Sequence, residues 1–331
     1  MSLSVSIVIP CKNDEIRLKK TLESCQNLNV LADQIILVDD GSTSPIHIEK
    51  DYANVQLLRI FPGIGPAGAR NAGAEKATGD IILFLDADVT AESELIMQIR
   101  EHFQNNPSLD AVQGVYTEKT RIESLFSKYQ NYYYHYAFIS IPSEYVAVCA
   151  TFCFAIKNSV FKKMNGFDSR IKQPTVEDEA FGYKLAKAGY SIIIDPKIRV
   201  HHWAEYSMRR FIARKFRMSF NQGKSILRGH KPPIWGKNQF FLSNPTHHSR
   251  KTLLSLFVAP VIPISYIINI PFLITFVLLY CCLNLKFWQY LIIQEPPQRL
   301  IAFLFLNWLD HVVIFIGIIS GTVHYFTCNH Y

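Results

Sequence analysis

Acidic residues gather at three points of the sequence where their spacing suits chemistry. Asp39-Asp40-Gly41-Ser42 follows QIILV, Asp86-Ala87-Asp88 follows IILFL, and Glu177-Asp178-Glu179 opens a stretch with helical spacing. An Asp-x-Asp at the end of a buried strand places two carboxylates where a hard cation, Mg2+ or Mn2+, can be held and can neutralise a diphosphate. The competing reading is local: Asp88 or Thr90 caps a helix beginning near Ala91. A carboxylate of Glu177-Asp178 can take a proton from a hydroxyl. Acids in a first helical turn also favour the helix dipole without any catalytic role. Residues Gly65-Pro66-Ala67-Gly68-Ala69-Arg70-Asn71-Ala72-Gly73 combine small side chains, which admit close backbone approach, with the planar donor fork of Arg70, suited to a phosphate or a base carbonyl. Tight helix packing beside a solvated Arg explains the same residues. The pattern G-x-x-x-x-G-K-[ST] does not occur, which excludes that phosphate-binding loop. The seven cysteines are odd in number, sit mostly in apolar runs and lack Cys-x-x-Cys spacing. They read as small hydrophobes rather than a disulfide framework or zinc site.

The elements that must position these residues are legible as alternating patterns. Apolar, β-rich runs at 5–10, 34–40, 55–60, 80–86 and 110–115 predict strands, and helical spacing predicts helices over 14–28, 66–78 and 91–104. Near-continuous apolar strands separated by helices predict an α/β fold with a mostly parallel sheet covered on both faces. Ligands in such sheets lie at the carboxyl ends of the strands, where Pro10-Cys11-Lys12-Asn13 and both aspartate pairs fall.

Across 331 residues the chain is 49% hydrophobic and 18% charged, with formal net charge +7, a composition that excludes disorder. The charge is unevenly placed. Residues 205–251 hold eleven Lys or Arg and one acid, a net +10, leaving −3 for the rest. No charge occurs from Thr252 to Leu285, and Leu300 to Phe326 contains only Asp310, beside His311. Both runs exceed the ~20 apolar residues that a spanning helix needs. Pro260, Pro263 and Pro271 interrupt the first, so it kinks or lies partly in the interface. A basic collar next to the first apolar run predicts a multi-pass membrane protein of about two spans, with the N-terminal domain cytoplasmic. No signal peptide is visible in MSLSVSIVIP. Within the collar, Arg210, Arg214, Arg217, Lys224 and Arg228 recur at helical spacing among Phe211, Ile212, Phe216 and Phe220. That pattern predicts an amphipathic helix against anionic lipid, with a solvated basic face as the plainer reading. Nucleic acid is not an expected partner. The tyrosines of SKYQNYYYHYAF suit either sugar stacking or an interfacial position.

Taken together, SIVIPCKNDEIRLKKTLES, ILVDDGST, GPAGARNAGAEKATGDIILFLDADV and VEDEAFGYKLAKAGYSIIIDPKIRVHHW resemble, in order over residues 4–203, the family 2 glycosyltransferases, inverting enzymes with the GT-A fold. The resemblance implies a GT-A domain over 1–204, a basic interfacial segment over 205–251 and a membrane region over 252–331. It implies a nucleotide-sugar donor, with a UDP-sugar expected, and a glycan or glycolipid hydroxyl as acceptor, in cell-surface polysaccharide or glycolipid synthesis. Pro10, Asp39, Asp40 and Arg70 match positions lining the base and ribose pocket. Asp86 and Asp88 match the Asp-x-Asp, the second acid holding Mg2+ or Mn2+ and the first approaching the ribose. Asp178, preceded by Glu177, matches the acid that deprotonates the acceptor. His202, or His201 if the register shifts by one, matches a histidine near the metal or diphosphate. Transfer to a polyprenyl phosphate, and a catalytically silent nucleotide-sugar-binding module, are the alternatives. A phosphate acceptor needs no base, so Glu177-Asp178 favours a hydroxyl. The Gln-x-x-Arg-Trp of processive relatives is absent.

Overall fold

The computed structural model describes residues 3–48, 52, 54–141, 146–147, 149–173, 175–227 and 250–328. Among these the chain forms two compact units. One comprises residues up to 121 together with 138–204, and the other comprises 122–137, 205–227 and 250–328.

The first unit begins β1 (Val5–Cys11), α1 (Glu15–Gln26), β2 (Gln34–Asp40), β3 (Val55–Ile60), α2 (Pro66–Lys76) and β4 (Ile81–Leu85). It continues through β5 (Val89–Ala91), α3 (Leu95–Asn105) and β6 (Ala111–Tyr116). After α4 (Leu125–Ile139), which falls almost wholly in the second unit, come β7 (Cys153–Lys157), α5 (Asn158–Lys163), α6 (Glu177–Lys187) and β8 (Ile192–His202). The strands make one sheet ordered β3-β2-β1-β4-β7-β6-β8-β5. Its first four strands are parallel, as expected from runs such as VSIVI and IILFL whose residues are buried on both faces. Beyond β4 the sheet is mixed. β7 runs antiparallel to β4 and β6, and β5 antiparallel to β8. The five expected strands are all present. The helix expected from 91 instead begins at Leu95, with Glu94 at its N-cap, because Val89–Ala91 pairs with β8. Asp88 and Thr90 therefore cap no helix. All seven cysteines are free.

Helix α2 owes its place to its small residues. A Cβ on Gly73 would overlap the Val8 side chain of β1, and one on Gly65, whose φ is +89°, would overlap the backbone of Lys172. Asn71 adds two bonds to the backbone of Phe167, both 2.9 Å, its amide nitrogen donating to the carbonyl and its oxygen accepting from the N–H.

In the second unit, α4 and α7 (Met208–Leu227) accompany α8 (Arg250–Val258), α9 (Val261–Ile268), α10 (Ile270–Gln294) and α11 (Pro297–Cys328). The apolar run expected from 252 to 285 is not one helix. It breaks after α8 at Ala259-Pro260 and again at Asn269, whose side chain accepts from the Phe272 N–H at 2.8 Å and caps α10. Two helices, α10 and α11, are long and apolar enough to cross a membrane. Ile274, Leu278, Leu285 and Ile292 on α10, and Ile301, Phe305 and Ile316 on α11, are exposed.

Helix α7 is more than a basic face. Gly317 and Gly321 of α11 and Gly223 of α7 leave no room for a Cβ against the facing helix, so the two backbones touch. Lys215, counted in the basic collar, is buried and donates to Asp310 Oδ2 at 2.8 Å, and Lys224 is also buried. Arg228, Lys231 and Lys237 of the collar lie outside the described residues. Asp310 further accepts from the Tyr129 hydroxyl at 3.0 Å, and His311 Nδ1 lies 2.8 Å from the Tyr280 hydroxyl. Tyr132 bonds Glu295 at 2.8 Å. The buried tyrosines of α4 thus serve helix packing, not a sugar-binding surface.

Candidate active site

The carboxyl ends of β1, β2 and β4 lie side by side, and the end of β8 meets the segment after β4 through its pairing with β5. Register pairs Cys11 with Asp39, and Pro10 with Val38, so the β1 and β2 ends lie side by side. Asp39 is fully buried. It accepts from the Ser42 N–H at 2.9 Å and the Ile46 N–H at 3.4 Å. Burial raises the pKa of such a carboxyl, but the Ser42 hydroxyl and amide, the Ile46 amide and the nearby Arg59 together hold it below the usual range. Asp40 accepts from the backbone N–H of Ile64 at 2.6 Å and of Gly65 at 3.0 Å. Both carboxylates shape loops, and the loops form walls. A cleft of about 550 Å³ opens there, lined by Asn13, Asp14, Ser42, Thr43 and Ile46. Asn13, at φ +55°, accepts with Oδ1 from the Thr43 N–H and hydroxyl, both at 2.8 Å, closing one side.

Asp88 and His202 meet because β5 pairs with β8 in the register Val89 to His202. His202 Nε2 lies 3.6 Å from Asp88 Oδ2, and its ring stacks on Tyr116 at 4.7 Å and 13°. His201, one residue back on an alternating strand, turns to the other face, with Nδ1 2.9 Å from the Thr117 hydroxyl. His202, and not His201, is thus the histidine that lies beside Asp88. Arg17 Nη1 lies 3.1 Å from the same Asp88 oxygen and also pairs with Asp14. Trp203 fixes the corner twice, its backbone N–H donating to the Asp88 carbonyl at 2.9 Å and its indole to Thr90 at 3.0 Å. Arg17, Tyr116 and Trp203 were not singled out from sequence. Arg17 lies on an amphipathic helix like any surface cation, and Tyr116 ends an apolar strand, so neither carries a local signal.

Asp86 does not share the Asp88 corner. It accepts from Arg70 Nη2 at 2.8 Å, while Arg70 Nη1 donates to Glu177 Oε1 at 3.0 Å. Glu177 Oε2 takes the Thr175 N–H at 2.8 Å. Arg70 is 5% exposed and Glu177 4%. The guanidinium therefore links the end of β4 to the first turn of α6, where Asp178 follows Glu177. Asp178 is partly exposed and accepts from the Glu179 N–H at 2.8 Å. Desolvation, then the negative charges of Glu177 and Glu179, push its pKa well above the usual carboxylate range, against a smaller pull from Arg70. A carboxylate made more basic in this way is suited to accept a proton.

Residues 6–164 match the Glycosyl transferase family 2. The chain carries a domain of that family over those residues. Pro10, Asp39, Asp40, Arg70, Asp86 and Asp88 lie inside the matched family 2 stretch, and Asp178 and His202 beyond it. Over 219 residues the chain is 26% identical to a pre-mycofactocin glycosyltransferase of Mycobacterium tuberculosis, covering 64% of this chain and 45% of that protein. Over 109 residues it is 39% identical to an uncharacterized glycosyltransferase of Haemophilus influenzae, covering 31% and 43%. The chain thus spans under half the length of these two curated relatives. A mannosyltransferase of Pyrobaculum calidifontis, solved in complex with GDP-Man and Mn2+, shares the fold with TM-score 0.66 at 14% identity, over 100% of this chain and 89% of that one.

Proposed function

We propose that the chain transfers a sugar, with inversion, from a nucleotide-diphospho-sugar to a hydroxyl acceptor, using Asp178 as general base. The observation that supports the reading is the Asp86–Arg70–Glu177 chain, which ties the end of β4, where the Asp-x-Asp lies, to the first turn of α6, where Asp178 follows Glu177. The loops held by Asp39 and Asp40 form the base and ribose pocket beside Pro10. A UDP-sugar is the donor proposed.

A divalent ion fits the Asp88 corner. One carboxylate oxygen and one imidazole nitrogen face each other at 3.6 Å, and no cluster of three or more metal-binding side chains occurs among the described residues. That leaves the remaining positions to donor phosphates and water, as Mg2+ and Mn2+ sites on substrate phosphates commonly require. Asp88 and His202 would hold the ion, with Asp86 turned to Arg70 and the ribose side. Mn2+, present in the Pyrobaculum structure, or Mg2+ supplies charge neutralisation for the departing diphosphate. The chain's own residues do the rest. Asp178 accepts the acceptor proton as the oxygen attacks the anomeric carbon, the nucleoside diphosphate leaving from the opposite face.

The exposed apolar residues of α10 and α11, with the exposed Arg209, Arg210 and Arg217 on α7, favour a membrane-anchored enzyme whose catalytic domain faces the cytoplasm. Its acceptor is then a glycan or glycolipid at that surface. The deciding experiment is Asp178→Asn assayed with a panel of nucleotide-sugars and Mn2+. Transfer falls by roughly 10²–10⁴, and nucleotide-dependent thermal stabilisation stays. Wild-type transfer in that variant would favour a lipid phosphate acceptor, which needs no base, and no transfer by wild-type protein from any donor would favour a binding module.

A further inference from the structure

Arg70 was expected to offer its fork to the donor. In the fold that fork is spent inward. Both terminal nitrogens are bonded to carboxylates, and only about a twentieth of the residue is exposed. Asp86 is the more open partner, its side chain 32% exposed, whereas Glu177 is locked by Arg70 on one oxygen and the Thr175 N–H on the other. The helix bearing Arg70 is itself anchored at both ends of this path, to β1 through the absent Cβ of Gly73 and to the loop before α6 through Asn71.

From this geometry we infer that Arg70 is a positioning residue: a buried strut between the donor-side Asp86 and the acceptor-side helix α6, which sets Asp178 against the donor edge and makes no contact with the nucleotide. The inference rests on the proposed role of Asp178 as base. The charged and titratable groups facing Asp178 are Glu177 and Glu179 on its own helix, Arg70 on α2 and the Cys149 thiol. Glu177 raises the basicity of Asp178 and Arg70 lowers it. Removing each therefore moves the base in opposite directions, which a merely structural contact would not do.

The experiment compares Arg70→Lys, Arg70→Gln, Glu177→Gln and Asp178→Asn in the full-length protein, with pH profiles of kcat and calorimetric titration of UDP with Mn2+. Glu177→Gln moves the acidic limb of kcat to lower pH, and Arg70→Gln moves it to higher pH, each by about one unit for a charge removed within a few ångströms of a partly screened group. Nucleotide affinity changes less than about threefold in all three strut variants, below the tenfold that 1.4 kcal/mol represents. Arg70→Lys, which keeps the charge but cannot fork to both acids, lowers kcat with the limb nearly in place. If Arg70→Gln does not fold, Arg70→Lys and Glu177→Gln carry the test. A tenfold or greater loss of UDP affinity in Arg70→Lys with unchanged kcat would restore Arg70 to the donor pocket and overturn the strut, as would limbs that do not move. Full turnover by Asp178→Asn would overturn the base assignment instead.

Discussion

The sharpest energetic statement in the molecule concerns Lys215 and Asp310 in the helical unit. Asp310 is fully buried and Lys215 is 4% exposed. Their charged atoms are 2.8 Å apart, with the Tyr129 hydroxyl on the same Asp310 oxygen at 3.0 Å and the Lys215 ammonium 4.2 Å from the centre of the Tyr133 ring. Asp310 Oδ1 has no partner among the described residues. Removing one member of such a pair strands the other as an uncompensated buried charge, at a cost of about 3–5 kcal/mol. Lys215→Met leaves the carboxylate with the tyrosine alone, and Asp310→Leu leaves an ammonium among aromatic rings. The two losses are not additive, because Lys215→Met with Asp310→Leu removes both charges and fills the space with apolar atoms. That double variant is expected within about 1 kcal/mol of wild type, or above it. The assay is reversible unfolding of protein in mixed micelles of rising SDS fraction, followed by tryptophan fluorescence, as a double-mutant cycle. Single losses below about 1 kcal/mol, or a double variant equal to the sum of the singles within about 0.5 kcal/mol, would show that the pair does not hold α7 to α11.

Two further expectations follow from the catalytic unit. Asp88→Asn and His202→Ala each weaken Mn2+ binding in the presence of UDP by about tenfold or more, read from the electron paramagnetic resonance of free Mn2+, whereas His201→Ala, on the other face of β8, leaves it unchanged. Asp178 also costs stability: its folded-state pKa lies above that of the unfolded chain, so the folded form holds the proton more tightly and is disfavoured as pH rises from about 4 through the folded-state value. Asp178→Asn is therefore expected to raise Tm at pH 8 and to change it little at pH 4, by calorimetry. An equal shift at both pH values would refute the raised basicity.

What could be read from sequence and what could not divides on one physical point. The strands at 5–10, 34–40 and 80–86 were legible because burial on both faces demands continuous apolar residues, and the acids after them were legible because strand ends in a parallel sheet face ligands. The short β5 was not legible, since Val89–Ala91 is defined by pairing with β8 more than a hundred residues later, and local composition favoured a helix cap. The partners of Arg70 and Lys215 were not legible for the same reason. Each is a cation on a helix, which reads as a group turned to phosphate, lipid or water. Each instead meets an acid from a distant element, Glu177 in one case and Asp310 in the other. A pattern along one helix reports which residues share a face and says nothing about the charge opposite. Long cations on helices rich in glycine and alanine, or running beside Gly317 and Gly321, are where that charge is close enough to take them inside. The sequence feature that signals a buried pair is accordingly the small residue that brings the helix near, more than the cation itself.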